Sequence, residues 1–130
     1  MIHVYTDGGS RGNPGEAAYA FLIYDGERKL CARKKRLGVA TNNVAEYTAV
    51  LEGLKKAAEL GGSVEVFSDS ELVVRQLNGQ YKVKKPHLKK LYVKVKQLES
   101  KLKEVSYTHR PRSNRMQKLA DKLVNEALDS

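Results

Sequence analysis

The segment Ile2-His3-Val4-Tyr5-Thr6-Asp7-Gly8-Gly9-Ser10-Arg11-Gly12-Asn13-Pro14-Gly15 carries the reading on which the fold turns. Ile2 to Thr6 alternates in the manner of a half-buried strand, and the glycine-rich run from Asp7 to Gly15 is expected to end it. Outward from there, Ala17 to Tyr24 reads as a second strand, turned at Asp25-Gly26, and Lys29 to Leu37 as a third. Two short connections in succession imply an antiparallel meander. The period then changes. Val44, Tyr47, Leu51, Leu54 and Ala58 stand at helical spacing between Thr41 and Leu60, with Gly61-Gly62 as the stop. Val64 to Phe67 is a short strand, followed by a helix near Ser70 to Leu77. Leu88, Leu91, Val95, Leu98 and Leu102 stripe a further helix, Val105 to Thr108 is a last strand, and a terminal helix runs from about Ser113 to Leu128. The order βββ-α-β-α-α-β-α predicts an α/β fold with a five-stranded mixed sheet. Three antiparallel strands come first, then two parallel ones joined through helices that flank the sheet.

At 130 residues the chain fits one domain, 1–130, with a single core. Hydrophobic residues at 41% beside 30% charged residues exclude a disordered chain. The longest apolar run, Ala17 to Tyr24, is eight residues, so neither a transmembrane helix nor a secretory leader is expected. The single cysteine, Cys31, makes no internal disulfide, and no Cys/His cluster is present to hold zinc. A cytoplasmic monomer with no membrane association is the expectation.

The net charge of +9 is unevenly placed. From Leu72 to Leu98 there is no Asp or Glu, while Arg75, Lys82, Lys84, Lys85, Lys89, Lys90, Lys94 and Lys96 all fall in that window, interleaved with Tyr81, His87 and Tyr92. Such a field attracts polyanions and releases their counterions on binding. A solvated helix face would look the same, so the acidic residues must decide.

Four carboxylates matter. Asp7 ends the first strand before Gly8, where Asp-Gly is also ordinary turn chemistry. Glu46 stands three residues after Asn43, as in a capping box, yet it heads a stripe with Val50, Gly53 and Ala57 that places it beside a packed face. Asp69 follows the Val64 to Phe67 strand, where an N-cap is the default explanation. Asp121 lies inside the terminal helix without a capping role. Strand ends followed by helices are where open α/β sheets place their sites. Carboxylates converging there would repel one another unless a cation neutralised them, and all-oxygen ligation suits Mg²⁺ or Mn²⁺. Two such ions clamp the attacking and leaving oxygens of a phosphodiester, so an acidic cluster beside a basic surface points to metal-assisted phosphodiester cleavage.

Tyr5-Thr6-Asp7-Gly8, Gly12-Asn13-Pro14-Gly15, Thr41-Asn42-Asn43-Val44-Ala45-Glu46, Ser68-Asp69-Ser70 and Leu119-Ala120-Asp121 stand in the order found in type 1 ribonuclease H, and the resemblance covers essentially the whole chain. That family cleaves the RNA strand of RNA–DNA hybrids with divalent metal, leaving a 3′-hydroxyl and a 5′-phosphate. The resemblance implies a ribonuclease H-like fold. It makes Asp7, Glu46, Asp69 and Asp121 the catalytic, metal-binding carboxylates, holding two Mg²⁺ or Mn²⁺ ions when substrate is bound. It also implies that Gly8, Gly9, Ser10 and Gly12 with Asn13 and Asn43 approach the minor groove and its 2′-hydroxyls. Thr41 and Asn42 resemble residues that contact the substrate backbone, and Glu71 falls where many members have a Gln near the RNA.

Two departures from the family pattern stand out. Many members carry a His in a loop before the last Asp. His109 is the candidate here, and in short relatives an Arg serves instead, which brings in Arg110 and Arg112. Asn114 lies seven residues before Asp121, where the family usually shows four. The chain lacks Trp and is too short for the extra basic helix of long members. It resembles the compact bacterial or archaeal form, with Lys82, Lys84, Lys85 and the following helix taking over electrostatic binding. A nuclease for duplex RNA or branched DNA, and a catalytically silent hybrid-binding module, are the alternatives. The presence of all four carboxylates counts against the second.

Overall fold

A computed structural model describes residues 1–130. The elements are β1 (Ile2–Gly12), β2 (Gly15–Asp25), β3 (Arg28–Ala40), α1 (Asn42–Leu60), β4 (Ser63–Ser68), α2 (Glu71–Leu77), α3 (Pro86–Glu99), β5 (Glu104–His109) and α4 (Arg115–Asp129). The sheet order is β3-β2-β1-β4-β5, with β1, β2 and β3 antiparallel and β4 and β5 parallel to β1. The mixed five-stranded α/β sheet expected from the sequence is therefore present. No helix is long and apolar enough to cross a membrane.

Strand β2 shows how the layers form. Every residue from Ala17 to Ile23 is buried, because the strand is covered on both faces. Tyr19, Phe21 and Ile23 enter the main core with Tyr47, Leu51 and Leu54 of α1. Ala18 and Ala20 face the other way and meet Val124 and Ala127 of α4. Small residues on one side and large ones on the other follow from the two-residue period of a strand.

The first strand is longer than its sequence suggests. It does not stop at Thr6 but pairs with β2 as far as Gly12↔Gly15, so the glycine-rich run is one arm of a hairpin closed by Asn13-Pro14. A glycine is required at Gly8 because α1 crosses there. A Cβ on Gly8 would lie 2.3 Å from the carbonyl carbon and oxygen of Ala45 and 2.5 Å from the Glu46 nitrogen. A Cβ on Gly9, its neighbour, would meet only Val124 Cγ1, at an ordinary contact distance of 3.9 Å.

Three local readings are corrected by the helix ends. The cap of α1 is Thr41, whose Oγ1 accepts from the Val44 N–H at 3.2 Å, so Asn43 and Glu46 form no capping box. Ser70 caps α2, accepting from the Val73 N–H at 3.3 Å, which leaves Asp69 without that task. Asn114 caps α4 by accepting from the N–H groups of Met116 and Gln117. Leu102 lies beyond the end of α3, although it still reaches the core.

The close approach at Gly8 gives a direct test by urea unfolding. Gly8→Ala is expected to lower stability by about 3 kcal/mol with an unchanged m-value, because backbone rather than a flexible side chain must move. Gly9→Ala is expected to stay within about 0.5 kcal/mol of the parent.

Candidate active site

Parallel register brings the first two carboxylates together. Thr6 of β1 pairs with Ser68 of β4, so Asp7 and Asp69, the next residue on each chain segment, emerge side by side. Thr6 reinforces the pairing by donating its hydroxyl to the Phe67 carbonyl at 2.8 Å. Glu46 arrives from the second turn of α1, only 7% exposed, and its Oε1 accepts the Gly8 N–H at 2.5 Å. Carboxylate oxygens of Asp7, Glu46 and Asp69 all lie within 4.8 Å of one another. Asp121, on α4, lines the same cleft of about 610 Å³.

The helix bearing Asp121 is tied to β1 by Gln117, one turn earlier. Gln117 is fully buried and donates its Nε2 to the Thr6 carbonyl at 3.1 Å, while its Oε1 has no partner. Asn125, one turn after Asp121, donates Nδ2 to the Asp121 carbonyl at 3.1 Å and to its Oδ2 at 3.4 Å.

This clustering disfavours negative charge. Burial, then the charges of Asp69 and Asp121, push the Asp7 carboxyl up to about 8. Burial, then Asp7 and Asp69, raise Glu46 well above the ordinary carboxylate range, against the opposing Gly8 N–H. The basic side chain nearest this group is Arg112, whose Nε lies 3.8 Å from Asp69 Oδ2 and which is otherwise largely exposed. Buried, mutually repelling oxygen donors with so little compensation fit a hard divalent cation.

The rim is built of amides. Asn42 Oδ1 accepts from the N–H and the hydroxyl of Ser10, and the Asn42 N–H donates to Asn13 Oδ1 at 3.0 Å. Backbone N–H groups donate into both amide oxygens, which fixes the orientation of each amide and leaves both NH₂ groups without a protein acceptor. Gly8, Gly9, Ser10, Asn42 and Asn43 line the cleft. Gly12, Asn13 and Thr41 do not, and serve the hairpin and the helix cap beside it. Lys82, Lys84 and Lys85 line an adjoining groove of about 180 Å³ that shares Asn43 with the cleft.

Two sequence candidates lie elsewhere. His109 closes β5 and borders a separate depression with Glu71, Arg75 and Gln80. The strand end fixes the histidine there, away from the carboxylates, whereas Arg112 reaches the cleft. Glu71 is ion-paired along its own helix with Arg75 at 2.8 Å. Ser70 and Asn125, which line the cleft, were not singled out from the sequence. Their signals were adjacency to Asp69 and the i+4 spacing from Asp121.

Sheet order, strand directions and convergent carboxylates together define a ribonuclease H-like fold. The family model described as "Reverse transcriptase-like" matches residues 5–127. The chain is 42% identical to Bifunctional protein Rv2228c of Mycobacterium tuberculosis over 99% of its own length and 36% of that protein. It is 40% identical to Ribonuclease HI of Halobacterium salinarum, over 98% of this chain and 64% of that one. It thus spans about a third and under two thirds of those relatives. The solved structure of LC11-RNase H1 in complex with an RNA/DNA hybrid superposes with a TM-score of 0.92 at 40% identity, covering 99% of this chain and 97% of that one. The chain belongs to the type 1 ribonuclease H family.

The raised Asp7 pKa sets a pH dependence. The native carboxyl keeps its proton up to about 8, while the unfolded chain releases it near 4, so the native state binds more protons within that window. Stability from this group is therefore lost as pH rises from about 4 to about 8. In EDTA, Asp7→Asn is expected to flatten the fall of Tm across that range and to raise Tm at pH 8 by on the order of 5 °C. Mg²⁺ is expected to raise the parent's Tm more at pH 8 than at pH 5. Parallel Tm profiles for parent and variant in EDTA would show that Asp7 does not hold that proton.

Proposed function

We propose that residues 1–130 act as one ribonuclease H unit, an endoribonuclease that hydrolyses the RNA strand of RNA–DNA hybrids and leaves 5′-phosphate and 3′-hydroxyl ends. The observation that carries this reading is the convergence of Asp7, Glu46 and Asp69 within 4.8 Å, with Asp121 in the same cleft. All four come from a single chain, which supports action as a monomer. Two Mg²⁺ or Mn²⁺ ions held by these carboxylates would supply charge neutralisation at the attacking and leaving oxygens of the scissile phosphodiester.

The chain's own residues supply the rest. Asp7, buried beside Glu46 and Asp69, would hold the ions together with them, and burial keeps its carboxylate from being solvated by water instead. The free NH₂ groups of Asn13 and Asn42 are donors at the rim, placed to meet hydroxyl or phosphate oxygens. Asn43, Gly8 and Gly9 line the cleft, where they would meet a 2′-hydroxyl that only the RNA strand presents, the basis for strand choice. Lys82, Lys84 and Lys85 contact phosphates and set affinity without reading the sugar. Arg112, rather than His109, is the mobile group at the cleft, because its long exposed side chain reaches Asp69.

Cleavage of a labelled hybrid, beside duplex RNA and duplex DNA, tests the reading. Cleavage confined to the RNA strand of the hybrid, lost in EDTA and in Asp69→Asn, is the expected result. Cleavage of duplex RNA at an equal rate would favour a broader nuclease, and binding without cleavage a silent module. Arg112→Ala is expected to lower kcat about tenfold or more, on the scale of a positioned charged group, with His109→Ala within about twofold of the parent. The reverse ranking would return the role to His109. Lys84→Ala with Lys85→Ala is expected to make the slope of log affinity against log salt shallower by about 2.

A further inference from the structure

Three depressions follow one another along one side of the molecule, each sharing a residue with the next. Asn43 lines both the carboxylate cleft and the groove of Lys82, Lys84 and Lys85. Lys84 then lines a shallow trough of about 670 Å³ on the outer side of α3, with Pro86, Lys89, Lys90, Val93 and Lys94. Lys89, Lys90 and Lys94 are exposed, and the ion pair on α3 joins Lys96 to Glu99 instead. Lys90 and Lys94 stand at i and i+4, where like charges destabilise a helix, and no acidic residue lies between Leu72 and Leu98 to offset them. Val93 is 42% exposed among them. An uncompensated cationic face continuous with the cleft matches a long polyanion that enters the cleft at one end.

We propose that the outer face of α3 is an outboard phosphate-binding surface, on which Lys89, Lys90 and Lys94 hold the backbone of the duplex arm that leaves the cleft past Asn43 and Lys84. The assignment rests on the hybrid reading above and extends the substrate beyond the cleft. The 14 residues of α3 span about 20 Å, or about six base pairs of duplex. Lysine is a flexible point charge, so this surface tracks phosphates without selecting strand or sequence.

The test compares blunt hybrids of about 8 and about 24 base pairs, the longer alone having an arm that reaches α3. Binding is followed by fluorescence anisotropy over a salt series in the Asp69→Asn background, with and without Lys89→Ala, Lys90→Ala and Lys94→Ala together. On the long hybrid the triple variant is expected to bind about tenfold more weakly at about 0.1 M salt, with a log–log slope shallower by about 2 to 3. On the short hybrid its affinity, and its single-turnover cleavage with Asp69 restored, are expected to match the parent. A matched variant removing Lys29, Lys55 and Lys56, which line none of the three depressions, controls for net charge. An unchanged slope on the long hybrid would overturn the assignment, as would an equal loss on both lengths or an equal loss in the control. If the parent binds with the stated length dependence yet cleaves neither hybrid, the nuclease reading falls and the surface stands. If it cleaves both and the length dependence is missing, the surface alone falls.

Discussion

The contact of the Gly8 backbone with the second turn of α1 is the constraint on which the site depends. With no side chain at Gly8, strand and helix approach until the Gly8 N–H is donated to Glu46, and that approach carries a buried glutamate up to Asp7. Two residues of β1, Thr6 and Gly8, thereby hold three other elements. The Thr6 hydroxyl binds the carbonyl of Phe67 on β4, the Thr6 carbonyl binds Gln117 on α4, and Gly8 binds α1. Asp7 sits between these attachments, so its position is set by backbone and by packed layers rather than by a mobile loop. Sites held on rigid elements keep their geometry better than sites on loops.

Electrostatics divides the surface into two roles. The cleft gathers carboxylates that disfavour one another's charge, while lysines crowd the adjoining side. The surface ion pairs, such as Lys34–Glu126 and Arg36–Glu16, add little to stability and leave most of the positive excess free. Attraction is thus spread over the outside and repulsion is focused at the centre. A divalent cation held by the carboxylates would reconcile them by removing the repulsion at that point.

Much of this was legible in the sequence because the fold obeys local periods. Alternation gave β1, helical spacing gave α1 and α3, and helix-joined strands gave the parallel pairs. Asp121 was legible as an acid without a good local task, and the other three through their joint placement at strand ends and beside a packed face. What escaped was tertiary in origin. Glycine at Gly8 reads as a turn former, yet its reason is a helix some 38 residues further on. The capping readings of Asn43, Glu46 and Asp69 failed because Thr41 and Ser70 already satisfied the helix ends, freeing the acids for the cleft. His109 and Arg112 are near in sequence, but a strand end points one away from the cleft while the following turn lets the other reach it.

The four carboxylates enter the chain far apart, and the last lies on α4. During synthesis the hairpins and α1 are complete while α4 is still unmade, since chains emerge from the N-terminus. At that stage Ala18 and Ala20 have no cover on the α4 side, and the cleft has three of its acids. Docking of α4 seals the second face of the sheet and delivers Asp121 in one event. Completion of the core and completion of the carboxylate cluster are therefore the same step, so a nascent or truncated chain carries three of the four acids without the last.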